Sequence, residues 1–198
     1  MKAAVSKIVV QLIVVPRVRI PAPPPFFSQE GAGQMQDRDI KIENVELADV
    51  PEDLLNNIVY ALEEGKKILE TATHGQSFAP FTAIVVGDEV YLESYAPKDT
   101  HESLDMSEYA DVTFEKAQKK VKKKKGAISY AFCYDGFIET EDGEKDAIVA
   151  EGAKPKGETG FAIAMPYVMK GNAKKGKTKY EFNDGKIFLG EAPNFFHK

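Results

Sequence analysis

Four residues in this chain are of types that can carry acid–base or nucleophilic chemistry: His74, Ser77, Cys133 and Asp135. Cys133 is the only cysteine. A thiol attacks as its thiolate, which needs a base or a helix N-terminus beside it. No such partner adjoins Cys133, and its position mid-strand between Ala131 and Asp135 reads as core filling. Asp135 precedes Gly136 near the end of that strand, which suits a bulge or turn residue. It equally suits a general base presented at a sheet end, with Glu139 and Glu141 close by. His74 lies in a Thr-His-Gly loop near Ser77, where an active-site base can sit. A small enzyme is therefore one reading, and it requires these four side chains to converge.

His101-Glu102 with Asp105 resembles the opening of an H-E-x-x-D metal-binding helix. That chemistry needs both ligands on one helical face, with the glutamate as base. Asp105 is better used as the cap of the following helix, in a capping box with Glu108, which leaves His101 in the preceding loop. His197, close to the C-terminus, is expected to be mobile. Gly152, Gly157 and Gly160 lack the strand-to-helix context of a phosphate-binding loop. No catalytic residue, metal ligand or cofactor is therefore assigned, and the balance leans away from an enzyme.

Lysines form two clusters. Lys116, Lys119, Lys120 and Lys122 to Lys125 end one helix, and Lys170, Lys174, Lys175, Lys177 and Lys179 occupy a later loop. Together they could form a weak polyanion-binding face. The absence of arginine in both clusters, the lack of an aromatic RNA-binding signature and a total charge of −5 argue against nucleic acid as partner. A solvated, solubilising surface is the expected role.

The elements that must position these residues begin after an unusual leader. Residues 1–34 contain five of the eleven prolines and carry +3, leaving −8 on residues 35–198 of a chain whose total is −5. Ile8 to Val15 is too short an apolar run to span a bilayer, so no transmembrane segment is expected. Three readings stay open: an untethered Pro-rich tail upstream of a true start at Met35, a targeting segment, or an integral strand. A single domain is expected over residues 35–198, folding from near Asp39. One cysteine excludes an intramolecular disulfide, and the cytoplasm is the expected setting.

Within that domain, Leu54, Leu55, Ile58, Val59, Leu62 and Leu69 repeat at helical spacing after Pro51. Phe81 to Val86 and Val90 to Tyr95 form a hairpin through Gly87-Asp88. A second helix carries Ala110, Phe114, Ala117 and Val121 and ends before Gly126. Everything beyond reads as strand. The order α-β-β-α-β-β-β-β-β predicts an α+β fold, with two amphipathic helices on one face of a mainly antiparallel sheet of five to seven strands.

Two strands have a bulky and a small face. In Ala127 to Ile138, Ile128, Tyr130, Phe132, Tyr134 and Ile138 oppose Ala127, Ser129, Ala131 and Cys133. In Thr159 to Val168, Phe161, Ile163, Met165 and Tyr167 oppose Gly160, Ala162 and Ala164. Two helices cannot cover both faces of such a sheet. On the small face they leave the aromatic face needing another cover. On the aromatic face, the plainer placement because large residues usually form the core, they leave the small face lightly exposed. The favoured function is a binding or assembly module, homodimeric or with a protein partner. Its contact surface is expected to be Tyr130, Phe132, Tyr134, Phe161, Met165 and Tyr167.

Overall fold

The computed structural model describes residues 50–72, 74–75, 77–95, 106–140, 143–182 and 185–197. The leader, the Met35 start, His101-Glu102 and the Asp105 cap lie outside the described residues. The described elements follow the expected order: α1 (Glu52–Thr71), β1 (Phe81–Val86), β2 (Glu89–Ser94), α2 (Met106–Lys123), β3 (Ala127–Thr140), β4 (Gly143–Ala153), β5 (Gly160–Asn172), β6 (Lys177–Phe182) and β7 (Ile187–Ala192). The fold is mixed, two helices with one sheet ordered β2-β1-β3-β4-β5-β6, and β7 also pairs with β5. Every pairing is antiparallel.

The helices do not share a face, contrary to the expectation from sequence. Leu54, Ile58, Leu62 and Leu69 of α1 cluster with Ala83, Ala131, Cys133, Ile148 and Ala150. Ala117 and Val121 of α2 cluster with Tyr130, Phe132, Tyr134 and Val149. Residues 130 and 131 point to opposite sides of β3, so α1 and α2 cover opposite sides of the sheet. The small face of β3 is the one α1 needs. A Cβ on Gly152 would lie 2.7 Å from both Ile58 Cγ1 and the Tyr130 carbonyl oxygen, and one on Gly65 would lie 3.1 Å from Cys133 Sγ. Such close approach of helix to sheet is available only over small residues.

Cross-strand register overturns the idea of a single aromatic face. Cys133 lies opposite Ala150 and Ala150 opposite Ile163, whereas Phe132 lies opposite Glu151 and Glu151 opposite Ala162. The bulky side of β3 therefore shares a face with the small side of β5, and the reverse. Each face thus carries one bulky row and one small row from these two strands, so neither gathers excess volume.

The aromatic face is completed by the segment leading to His197, the residue expected to be mobile. After β7 the chain crosses β3, and Phe195 is wholly buried against Tyr130, Phe132 and Phe114. Tyr130 fastens it at both ends, donating to the Pro193 carbonyl at 3.0 Å and accepting from the Phe195 N–H at 2.9 Å. His197 Nε2 lies 3.0 Å from the Gly157 carbonyl oxygen, so this residue too is tied down.

Candidate functional site

The chemistry-bearing residues gather at the α1 side of the sheet. Asp135 sits in β3 with only 3% of its surface exposed. Tyr167 of β5 reaches across β4 and donates to its Oδ1 at 2.7 Å. The Ser77 hydroxyl, from the loop between α1 and β1, makes a second hydrogen bond to it. Burial pushes the Asp135 carboxyl up to about 6, the Tyr167 and Ser77 bonds oppose that rise, and the charge of Asp146 adds to it. Asp146 is itself raised by partial burial and by Glu144. Burial, then the Asp135 charge, lifts the phenols of Tyr167 and Tyr180. The arrangement is a carboxyl poised to exchange a proton near neutral pH, held by two hydroxyls.

Of the four residues nominated from sequence, Ser77, Cys133 and Asp135 share this face. His74 points elsewhere: its ring packs on Gly176 in the turn between β5 and β6, where an added Cβ would meet Nε2 at 3.0 Å. Cys133 is fully buried, and burial, with Asp135 next in effect, drives its thiol far above the usual range. It is core, as its neighbours implied, and it is no nucleophile. Tyr167, the nearest polar partner of Asp135, was assigned from sequence to a contact surface, because alternation alone does not show which strand faces which.

The six residues expected to form that contact surface are divided. Tyr130, Phe132 and Tyr134 lie under α2 and the C-terminal segment, whereas Met165 and Tyr167, with Phe161 partly buried beside them, lie on the α1 side. All but Phe161 are buried within one chain. They make no common exposed surface, because the register of β4 places their strands' bulky sides on opposite faces.

The bare surface is instead at the sheet's end. Among the described residues nothing pairs with the outer edge of β2, whose Val90 and Leu92 are 42% and 50% exposed. Leu92 lies opposite Ala83 on the α1 side. Asn57 of α1 hydrogen-bonds the Ala83 carbonyl at 3.4 Å and Ser129 Oγ at 3.2 Å, so that flank of the helix faces β1. Tyr60 and Ile68 fall on the same flank by helical periodicity and are exposed. On the other side of β2, α2 neutralises the edge: Lys120 pairs with Glu93 at 3.2 Å and Lys124 covers the Tyr91 ring.

The two lysine clusters occupy opposite ends of the sheet. In one cluster Lys120 bonds Glu93 and Lys124 covers the Tyr91 ring, at the β2 edge, whereas the other cluster lines β5 and β6 at the far edge. Four strand spacings, roughly 19 Å at about 4.8 Å each, separate β2 from β5, so the two clusters do not form one continuous face. Among the described residues no helix is long and apolar enough to cross a membrane, and no three potential metal ligands converge. Comparison with family models, with curated proteins and with solved structures finds no match to this chain.

Proposed function

We propose that this protein is a binding and assembly module that forms a homodimer by pairing the free edges of β2 from two copies. The observation that carries the proposal is that, among the described residues, that edge is undefended. Exposed edge strands ordinarily bear lysine, proline or a bulge that blocks further pairing. β2 has none of these, and it pairs with β1 in unbroken register from Glu89 to Ser94. Its acids are already engaged, Glu93 by Lys120 and Glu89 by the Tyr91 hydroxyl, which lowers repulsion between two copies. An antiparallel register centred on Leu92 sets Leu92 against Leu92, Val90 against Ser94 and Tyr91 against Glu93. No acid then faces an acid, and the exposed side chains of Val90 and Leu92 are buried.

Light scattering on the full chain across a concentration series tests this directly. The wild type should dimerise, and the double substitution V90K/L92K should yield a monomer with unchanged far-UV circular dichroism. A wild type that stays monomeric throughout, or a dimer that survives both lysines, overturns the proposal.

A second reading, a small enzyme, loses the four-residue site it required, since His74 lies apart and Cys133 is core. What favours it in reduced form is the meeting of Asp135 with Ser77 and Tyr167. An acid near neutral pKa beside a hydroxyl suits proton transfer to or from a bound substrate. It predicts ester or glycoside hydrolysis in a substrate panel that D135N abolishes and L92K leaves intact. No turnover by the wild type would end it.

A further inference from the structure

The hairpin of β5 and β6 presents five exposed lysines in an arrangement that works against its own stability. Lys170 lies directly opposite Lys179, and Asn172 opposite Lys177, so Lys170, Lys177 and Lys179 line one face. Lys174 and Lys175 stand at the tip, in a single 3-10 turn. Like charges directly opposite on a sheet are destabilising. One counter-charge is supplied locally, Glu181 to Lys170 at 2.6 Å. The other face of the hairpin is occupied: Tyr180 and Phe182 pack against Tyr167, Lys66 of α1 lies over Phe182, and the tip abuts His74 and Gly75. The lysine face is thereby held rigidly outward. Departures from local pairing rules concentrate where a surface has a partner to meet.

The α2 lysines make the contrast. Lys119 bonds Glu115, Lys120 bonds Glu93 and Lys124 caps Tyr91, so that cluster is partly consumed in holding the fold.

We infer that the lysine face of the β5–β6 hairpin is a docking surface for an anionic lipid membrane. Five lysines fall within the number of basic residues that read anionic headgroups. Lysine binds phosphate as a point charge, and the cluster lacks the arginines that would grip phosphates or bases bidentately. The lysine face carries no aromatic ring on which a base could stack, which disfavours single-stranded nucleic acid. It carries Val168 instead, 49% exposed beside Lys170 and opposite Glu181, an apolar contact for the headgroup–acyl boundary. The acidic remainder of the chain is repelled by the same membrane, so the hairpin approaches first.

Co-sedimentation of the full chain with phosphatidylcholine vesicles, with and without phosphatidylserine, reads the proposal. The wild type should bind only vesicles containing phosphatidylserine, and rising salt should release it. K177Q/K179Q should weaken binding roughly thirtyfold, as expected for the loss of two surface lysines. K122Q/K123Q, in the α2 cluster, should leave binding within about twofold of wild type. Equal loss in the two double variants, binding independent of phosphatidylserine, or tighter binding to a single-stranded oligonucleotide than to vesicles would each overturn it.

Discussion

The two sides of the sheet solve the same packing problem in opposite ways, and β3 supplies both solutions. On the α1 side it offers Ala131 and Cys133, and the helix sinks into the hollow between larger residues such as Phe81 and Ile163. On the α2 side it offers Tyr130, Phe132 and Tyr134, and the cover is interlocked rings from α2 and the C-terminal segment. Each side also buries a carboxyl bonded to a tyrosine hydroxyl: Asp135 with Tyr167 at 2.7 Å, and Glu151 with Tyr134 at 2.6 Å. The α1 side therefore depends on the absence of volume, and the α2 side on its presence. Substitutions that alter volume and substitutions that alter charge should separate the two.

The largest effect is expected on the aromatic side. Phe195 is fully buried, with ring centroids 4.5 Å from Phe114 and 4.6 Å from Tyr130. Phe195→Ala leaves a cavity where three rings met and should cost about 3–5 kcal/mol in urea unfolding. A loss below about 1 kcal/mol would mean that the C-terminal segment merely lies on the core, and the contrast between the two covers would collapse.

The next effect belongs to the α1 side and is a matter of charge. Asp135 titrates near 3.8 in an unfolded chain and at about 6 in the fold. Between those values the folded protein holds a proton that the unfolded chain has released, so stability falls as pH rises. This group's contribution is greatest below about pH 4 and is lost by about 3 kcal/mol once pH exceeds the folded value. Asp135→Asn removes the charge and keeps the shape. Relative to wild type, the variant should gain stability progressively as pH climbs through that window. Parallel stability-versus-pH curves for the two proteins would refute the buried charge.

Much of this contrast was legible along the chain, and the limits of legibility have a physical cause. Period-two alternation exposed the two-faced character of β3 and β5, and helical spacing located α1, because both are properties of consecutive residues. Which side of β5 joins which side of β3 is set by the register of β4 between them. A one-residue change there would exchange the faces, and nothing local records it. The same gap placed both helices on one side and gathered six residues from opposite sides into one surface. Ser77 and Asp135 could be nominated by type, but Tyr167 lies 32 residues from Asp135 and is brought to it only by the sheet. Phe195 was overlooked for a different reason. The six residues after the last strand have no periodicity, and the burial of Phe195 is decided by the ridge of β3 waiting for a cover.

The smallest effect sharpens the comparison most, because it tests a single hydrogen bond. Tyr167→Phe deletes the donor to Asp135 Oδ1 while keeping the ring that packs on Tyr180 and Phe182. Loss of a bond to a charged acceptor should cost about 1.5–3 kcal/mol where Asp135 is ionised, and less where it is protonated. Because the bond favours the charged form, its removal should raise the pH at which Asp135 titrates. The fall in stability with rising pH should then begin as before, near the unfolded value, and continue further. The doubly substituted protein D135N/Y167F should show neither that extension nor any residual pH dependence from this site. If Tyr167→Phe leaves stability unchanged at every pH, the tyrosine serves packing alone. The α1 side would then differ from the α2 side in volume only, not in the way it carries charge.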